Sequence, residues 1–349
     1  MYRSEEEIKR DMLNSIKNTE DKTQNSLIHD AISPASMELA NFNLQLEEVQ
    51  NKLDIENLFG EELERFIYPR TGQTRKLATK SITTVVISGQ EGSKIKRGDL
   101  VGTDSINFIS LEERIIDISG QTTLIAQCEE FGSIGNVPAN SINKFLVTIP
   151  GLIDVYNPDT VTNGYDEETD DELRQRYYDK LQRPGKAGNK YHYLEWAKEV
   201  VGVGDARVFS KFNGPLTMKI IIIDSNRQPA SEDLIIAVEG HIESEMPFGV
   251  DELLVTSATS KDINISVNIV KGTNYEEVEI KNNIEEKLKE YLKEIAFRED
   301  YVSYAKIGSI ILESKGVLDY SDLKINNGIS NVAIGYEEIG VTGVVTCTF

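Results

Sequence analysis

Over residues 1 to about 66, apolar side chains return at three- and four-residue intervals among polar ones, the period of a helix. Ser4-Glu5-Glu6-Glu7 has the form of a capping box, and Ile8, Met12 and Ile16 follow as one stripe on a short first helix. The polar run Asn18 to Gln24 predicts a break. A second helix is expected to open at Ser33-Pro34, with serine as N-cap and proline at the first helical position, where a missing N–H leaves nothing unpaired. Along it Ala35, Leu39, Phe42, Leu46, Val49 and Leu53 are spaced 4, 3, 4, 3 and 4, the alternation of a coiled-coil seam over between two and three heptads. So narrow a stripe suits one or two partner helices better than a broad core. Two readings stay open: packing within the chain, against Ile8, Met12 and Ile16, or helix-to-helix assembly with another chain.

From about 80 to 150 the period changes. Ser81 to Ser88, Ile106 to Ser110, Arg114 to Ser119, Thr122 to Gln127 and Phe145 to Ile149 are short and rich in β-branched residues, with glycines between them. Such spacing predicts a small all-β sandwich or barrel. Phe108, Phe131 and Phe145 are its only aromatics, and each is expected in its core.

Beyond about 165, helices and strands alternate. Thr169-Asp170-Asp171-Glu172 forms a second capping box ahead of Leu173, Tyr177 and Leu181. Gly188-Asn189 opens a helix whose buried stripe is expected at Tyr191, Leu194, Ala197 and Val201. Strands are expected at Ala206 to Phe209 and Thr217 to Ile223, then a helix with Leu234, Val238 and Ile242. The strict alternation from Ile263 to Ile269 predicts a half-exposed strand. A long helix after Asn274 carries Ile284, Leu288, Leu292 and Ile295, another spans Tyr304 to Ser314, and strands return at 320–325, 332–336 and 344–348. The whole reads as a multidomain α+β chain. Its parts are a helical arm (1–70), an all-β domain (71–150) and one or two α+β modules (151–270 and 271–349) with helices on one sheet face.

Composition narrows the function. The chain has 349 residues, and 37 basic against 58 acidic residues give a net charge of −21. That excludes a nucleic-acid grip, which needs clustered Lys and Arg. No apolar run nears the roughly 18 residues that span a bilayer. The first residues lack the apolar segment of a signal peptide, so the expected site of synthesis is the cytoplasm. Cys128 and Cys347 are too few for a disulfide framework and are expected as structural thiols.

Candidate chemistry is sparse. As a calcium loop, Asp166-Glu167-Glu168-Thr169-Asp170-Asp171-Glu172 has Asp171 where glycine is needed and Tyr177 where glutamate is needed. Acids gather at a helix N-terminus for the sake of its dipole alone. His29, His192 and His241 stand far apart, so no histidine metal site is expected. No Gly-x-Ser-x-Gly elbow occurs, and Gly89 to Lys94 lacks the Gly-Lys-Ser/Thr order of a phosphate loop. Nothing selects a catalytic carboxylate pair from so many acids.

One ordered set of motifs does stand out. Gly132-Ser133-Ile134-Gly135-Asn136-Val137 precedes Pro150-Gly151-Leu152 and Asn157-Pro158; then comes Gly164-Tyr165-Asp166-Glu167-Glu168-Thr169-Asp170-Asp171-Glu172-Leu173-Arg174-Gln175-Arg176. This run resembles the baseplate J-like family of contractile phage tails and tail-like bacteriocins. Gly188-Asn189, Trp196-Ala197 and Gly202-Val203 are similar to that family's next helix and strand, and Gly60 to Phe66 with Arg75 and Ala78 to its helix leading into the β domain. Asn163 and Tyr165 depart from the family turn, touching local geometry only.

The resemblance implies a structural wedge protein with no catalytic residue and no cofactor. Its implied partners are other copies of itself, a smaller wedge protein, and hub, spike and sheath proteins, within a virion or tail-like particle. It also implies that the N-terminal helices join a bundle with neighbours, through the 35–53 seam, while the C-terminal modules touch other copies in a ring. The rival readings are a tail-fibre protein whose β domain binds cell-surface glycan, and a glycan-cleaving tail enzyme.

Overall fold

The computed structural model describes residues 3–17, 21–186, 188–246, 252–273 and 275–349. Part of the expected break (18–20) lies outside them. The chain forms two compact units, Met1–Arg75 with Thr169–Tyr178, and Lys76–Glu168 with Asp179–Phe349.

In the smaller unit, helix α1 (Glu5–Ser15) starts on its capping box: the Ser4 hydroxyl accepts from the Glu7 amide at 3.3 Å and the Glu7 carboxylate from the Ser4 amide at 3.0 Å. Helix α2 (Leu27–Asn51) begins earlier than expected, on Ser26, and runs through Pro34. A turn closed by Asp21 and Thr23 delivers the chain to Ser26, whose hydroxyl accepts from the His29 amide at 3.2 Å. The Ser33 hydroxyl instead folds back onto the His29 carbonyl. Both serines are competent caps, and the preceding turn chooses between them. Helix α1 lies along α2, burying Ile8, Ser36 and Ala40. Helix α3 (Gly60–Thr71) and the start of α4 (Asp170–Gln182) complete the unit around Ile55, Leu58, Leu63, Ile67, Leu173 and Tyr177.

The larger unit opens with a barrel of short strands: β1 (Ile82–Gly89), β2 (Lys94–Ile95), β3 (Leu100–Gly102), β4 (Asn107–Ser110), β5 (Arg114–Ile115), β6 (Gln121–Cys128), β7 (Lys144–Phe145) and β8 (Leu152–Tyr156). Six form an antiparallel sheet in the order β7-β3-β4-β6-β1-β8, which curls until β7 lies against β8. Inward residues alternate along it, as at Val85 and Ile87 or Leu124, Ala126 and Cys128. Two expected strands shrink. The segment after Ile115 is a turn in which the Asp117 carboxylate accepts from the Ser119 amide, and the one after Phe145 bends into the Pro150-Gly151 turn. Phe131 is not core: it is 65% exposed, with the Lys80 ammonium 4.8 Å from its ring centre.

Next come α5 (Lys190–Glu199), β9 (Val203–Ser210), β10 (Thr217–Asp224), α6 (Glu232–Glu245) and β11 (Glu252–Ser257). In the sheet β11-β10-β9, β9 and β10 are antiparallel, and α6 is the crossover that makes β11 parallel to β10. The buried face of α5 is Tyr193, Trp196 and Ala197, rotated from the expected stripe; Val201 is exposed. The two large rings outweigh Tyr191 and Leu194 because they remove more apolar area from water. Strand β10 is covered on both faces. Ile220 and Ile222 face the α5–α6 side, whereas Ile221 and Ile223 meet Ala258, Ala296 and Ile339 of the following part.

That part consists of β12 (Thr259–Lys271), α7 (Glu277–Ile295), β13 (Tyr301–Val302), α8 (Tyr304–Leu312), β14 (Val317–Ile325), β15 (Val332–Ala333) and β16 (Glu338–Thr348). Its main sheet is β14-β12-β16, with β16 parallel to β12. Ile263, Ile265, Val267 and Ile269 all face inward against Ile284, Leu288 and Leu292 of α7 and Ile307 and Ile311 of α8. The expected strand at 332–336 is reduced to β15.

At the end of β10, Asp224 is buried, its carboxylate accepting from the Gln228 amide at 2.7 Å. Burial pushes this carboxyl up to about 6, against the hydrogen bonds from Gln228 and Asn226. An unfolded Asp titrates near about 3.9, so the folded state holds the proton more tightly. The resulting stability is fully present below about pH 4 and lost as pH rises through about 6. Asp224→Asn keeps the acceptor for Gln228. It is expected to gain on the order of 2 kcal/mol over the parent at pH 7, and little at pH 4. Urea midpoints of both proteins across this range measure the difference.

Candidate assembly interface

The motif residues of the larger unit knot the barrel exit. The Asn136 side-chain amide donates to the Gly164 carbonyl and accepts from the Gly164 amide, each at 2.8 Å. Asp166 accepts from both the amide and the hydroxyl of Ser133 at 2.7 Å. A Cβ on Gly135 would collide with Ser81 Oγ and Cys128 Sγ, and one on Gly164 with the Gly132 carbonyl, so only glycine fits this crossing. Asn163, the departure from the family turn, bridges the Ile82 amide and carbonyl at 2.9 and 2.8 Å. Asn157 is fully buried and ties three backbone groups, from Pro138, Ile142 and Asp159. Pro150 and Pro158 sit exposed in turns, and the Gly151 carbonyl accepts from the Gln90 amide at 2.7 Å. Further along, Gly188 donates to His192 Nδ1, Asn189 caps α5, and Trp196 is buried under it.

The rest of the motif organises the smaller unit. Thr169 and Glu172 make the expected reciprocal capping box at the start of α4. Asp170 accepts from Arg75 and from the Gly60 amide, and Arg75 also donates to Glu64 at 2.7 Å. Burial pulls the Asp170 carboxyl upward, but Arg75 and the Gly60 amide outweigh it and hold it below the usual range. Arg174, itself buried, donates to the carbonyls of Ile55 and Leu58 and to Asp171. Arg176 donates to the Thr74 carbonyl, and Leu173 joins the small core. The acidic run is thus engaged by arginines and amides. Among the described residues, no group of three or more His, Cys, Asp or Glu side chains could hold a metal ion.

The Asp170 joint is expected to be worth about 1–3 kcal/mol, since it bonds a charged acceptor to two donors. Asp170→Asn should lower the chemical-denaturation midpoint at pH 7. Its deficit should vanish as pH falls through the lowered carboxyl's titration, where the parent loses the same charge.

The seam on α2 is different. Leu39, Phe42, Leu46, Val49 and Leu53 are 46% to 74% exposed and Ala35 is exposed, whereas Ser36 and Ala40 beside them are buried. From Asn41 to Asn51 the helix has no buried residue. Five of the six lie on the helix, and Leu53 follows its end. A second exposed pair that the heptad reading missed, Met37 and Leu44, lies one heptad apart on the opposite side. A helix this apolar and bare is marginal in water and gains stability by covering such faces.

Comparison with known proteins gives three consecutive matches. Residues 84–164 match the barrel domain of baseplate J-like proteins, 185–257 the central domain and 263–348 the C-terminal domain. The chain is 33% identical over 341 residues to the phage-like element PBSX protein XkdT of Bacillus subtilis (strain 168), covering 96% of this chain and 94% of that protein. To baseplate protein gp47 of Escherichia phage Mu it is 25% identical over 180 residues, 49% of this chain and 50% of that protein. Among solved structures, the baseplate of the anti-feeding prophage, seen by cryo-EM, aligns at a TM-score of 0.43 and 11% identity, covering 98% of this chain and 90% of that one. With three domains matched in order and the Bacillus relative aligned along nearly its whole length, the chain belongs to the baseplate J-like family of phage-tail baseplate proteins.

Proposed function

We propose that this baseplate protein is a wedge component of a contractile injection machine and works by assembly rather than catalysis. It is made in the bacterial cytoplasm and built into the baseplate of a phage or a tail-like bacteriocin. There it joins other copies of itself and a smaller wedge protein around the hub and spike, and connects to the sheath. The observation that carries this reading is the bare apolar seam of α2, Leu39 to Leu53, on an otherwise well-tied chain. Met37 and Leu44 extend the same role to the other side of the helix, which suits a bundle of more than two helices. The division at 70, 150 and 270 belongs to this proposal: the arm bundles, the β domain spaces, and the C-terminal parts meet other copies. Triggering is a rearrangement of subunit contacts.

The carboxylates of Asp166 to Glu172 serve folding in this account. Asp166→Asn and Glu172→Gln are expected to change stability or particle assembly and nothing else. A hydrolytic activity of the purified protein that either substitution removes would contradict the reading. In cells lacking this chain, electron microscopy should show tails without complete baseplates; complete baseplates would equally refute it.

A further inference from the structure

Between Lys180 and Lys190 the sequence Lys-Leu-Gln-Arg-Pro-Gly-Lys-Ala-Gly-Asn-Lys holds four cations and no acid, in a chain of net charge −21. The segment is tied at both ends. The Arg183 amide donates to the Asp179 carbonyl at 2.9 Å, the Asn189 amide to the Lys186 carbonyl at 3.0 Å, and the Gly188 amide to His192 Nδ1 at 3.3 Å. Lys180 is paired with Glu195 at 2.7 Å. Arg183, Lys186 and Lys190 are exposed, and among the described residues no carboxylate pairs with them. Arg183 and Lys190 instead lie 5.9 and 5.0 Å from the ring centre of half-buried Tyr191. Arg183 and Lys190 thus flank one aromatic ring, Lys186 is exposed nearby in sequence, and like charges so gathered favour an anionic partner.

An anionic surface of matching character exists on α6. Helix Glu232–Glu245 carries Glu232, Asp233, Glu239, Glu243 and Glu245 and neither Lys nor Arg. Between these acids Ile236 is 60% exposed, followed by exposed Ala237 and Gly240. A Cβ on Gly240 would meet nothing within 4 Å, and its backbone lies in the ordinary helical region. The chain's own packing therefore gives no reason for a glycine that costs about 1 kcal/mol against alanine in a helix. Room for a second chain does.

We infer that the Lys180–Lys190 loop of one copy docks on the outer face of α6 of a second copy. Arg183, Lys186 and Lys190 meet Glu232, Glu239 and Glu243, and Tyr191 lies over the Ile236–Gly240 stretch. Charge and the aromatic ring together select this occupant. A nucleic acid would satisfy the three cations and leave half-buried Tyr191 without an apolar partner, whereas the outer face of α6 on a second copy offers both carboxylates and the exposed Ile236 side chain. This contact rests on the baseplate reading, which requires copies to touch.

The test is sedimentation velocity of the full chain at low and high salt. Salt screens both this contact and the mutual repulsion of two chains of charge −21, so the charge reversals at fixed salt decide the outcome. R183E/K186E/K190E should weaken self-association by roughly tenfold or more, as should E232K/E239K/E243K, and mixing the two variants should restore it. Circular dichroism and melting temperature confirm that each variant is folded. Indifference to either reversal, failure of the mixture to recover, or no self-association at any salt would overturn the contact. Incorporation into particles separates the two ideas: a chain that enters baseplates but ignores the charge reversals sinks this contact alone. A chain that pairs through these charges yet never enters a baseplate sinks the proposed function.

Discussion

Replacing Asn157 by alanine is expected to destabilise the protein by about 3 kcal/mol, among the larger single-residue effects in the chain. Its side chain accepts from the Ile142 amide at 2.9 Å and donates to the Pro138 and Asp159 carbonyls at 2.8 and 2.7 Å, all from a fully buried position. Truncation strands the Ile142 amide beside a core side chain and opens a gap where Asn157 stood. Asn157→Asp separates donor from acceptor. It keeps the bond from Ile142 but turns two donations into contacts of a carboxylate with carbonyl oxygens. That variant should fare worse at pH 7 than at pH 4, where a protonated acid regains one donor. Denaturant midpoints of the parent and both variants at the two pH values measure these effects. Equal stability of Asn157→Ala and the parent would remove the knot from the account.

The second large effect is on assembly. Leu39→Asp combined with Leu46→Asp places two carboxylates on the bare side of α2. Both leucines are about half-exposed, so the isolated chain should lose no more than about 1 kcal/mol. The same carboxylates would have to be buried without partners in a helix bundle, which costs several kcal/mol and abolishes it. Co-expression with a wedge partner, followed by gel filtration, should give a complex for the parent and two separate species for the variant. A complex retained by the variant would rule out the seam as the joining surface.

Much of the fold could be read along the chain because local periodicity reports which face is buried. The alternation at Ile263 to Ile269 and the stripes of α6 and α7 reappear as buried faces, since each belongs to an element longer than the period that marks it. Periodicity misleads where two local signals compete. Ser26 and Ser33 can both cap, and only the turn at Asp21–Thr23 decides between them. Tyr191 and Tyr193 both offer a ring, and the position of Trp196 relative to the sheet decides which is buried. Phe131 carries a large apolar ring yet lies outside, because the segment after Cys128 leaves the barrel wall. The ties between distant segments gave no local signal. Asp170 meets Arg75 and Gly60 across 95 and 110 residues, and nothing near any of the three announces the others. What the motif Gly132 to Arg176 did signal was its own order, and its residues prove to be turn, cap and crossing positions.

The most direct test of the central claim is a cryo-EM reconstruction of the particle that contains this chain, at a resolution that shows side chains on α2. The chain is expected in the baseplate, with Leu39, Phe42, Leu46 and Val49 packed against helices of neighbouring subunits. A reconstruction in which this face of α2 stays bare to solvent, or in which the chain lies outside the baseplate, would contradict it.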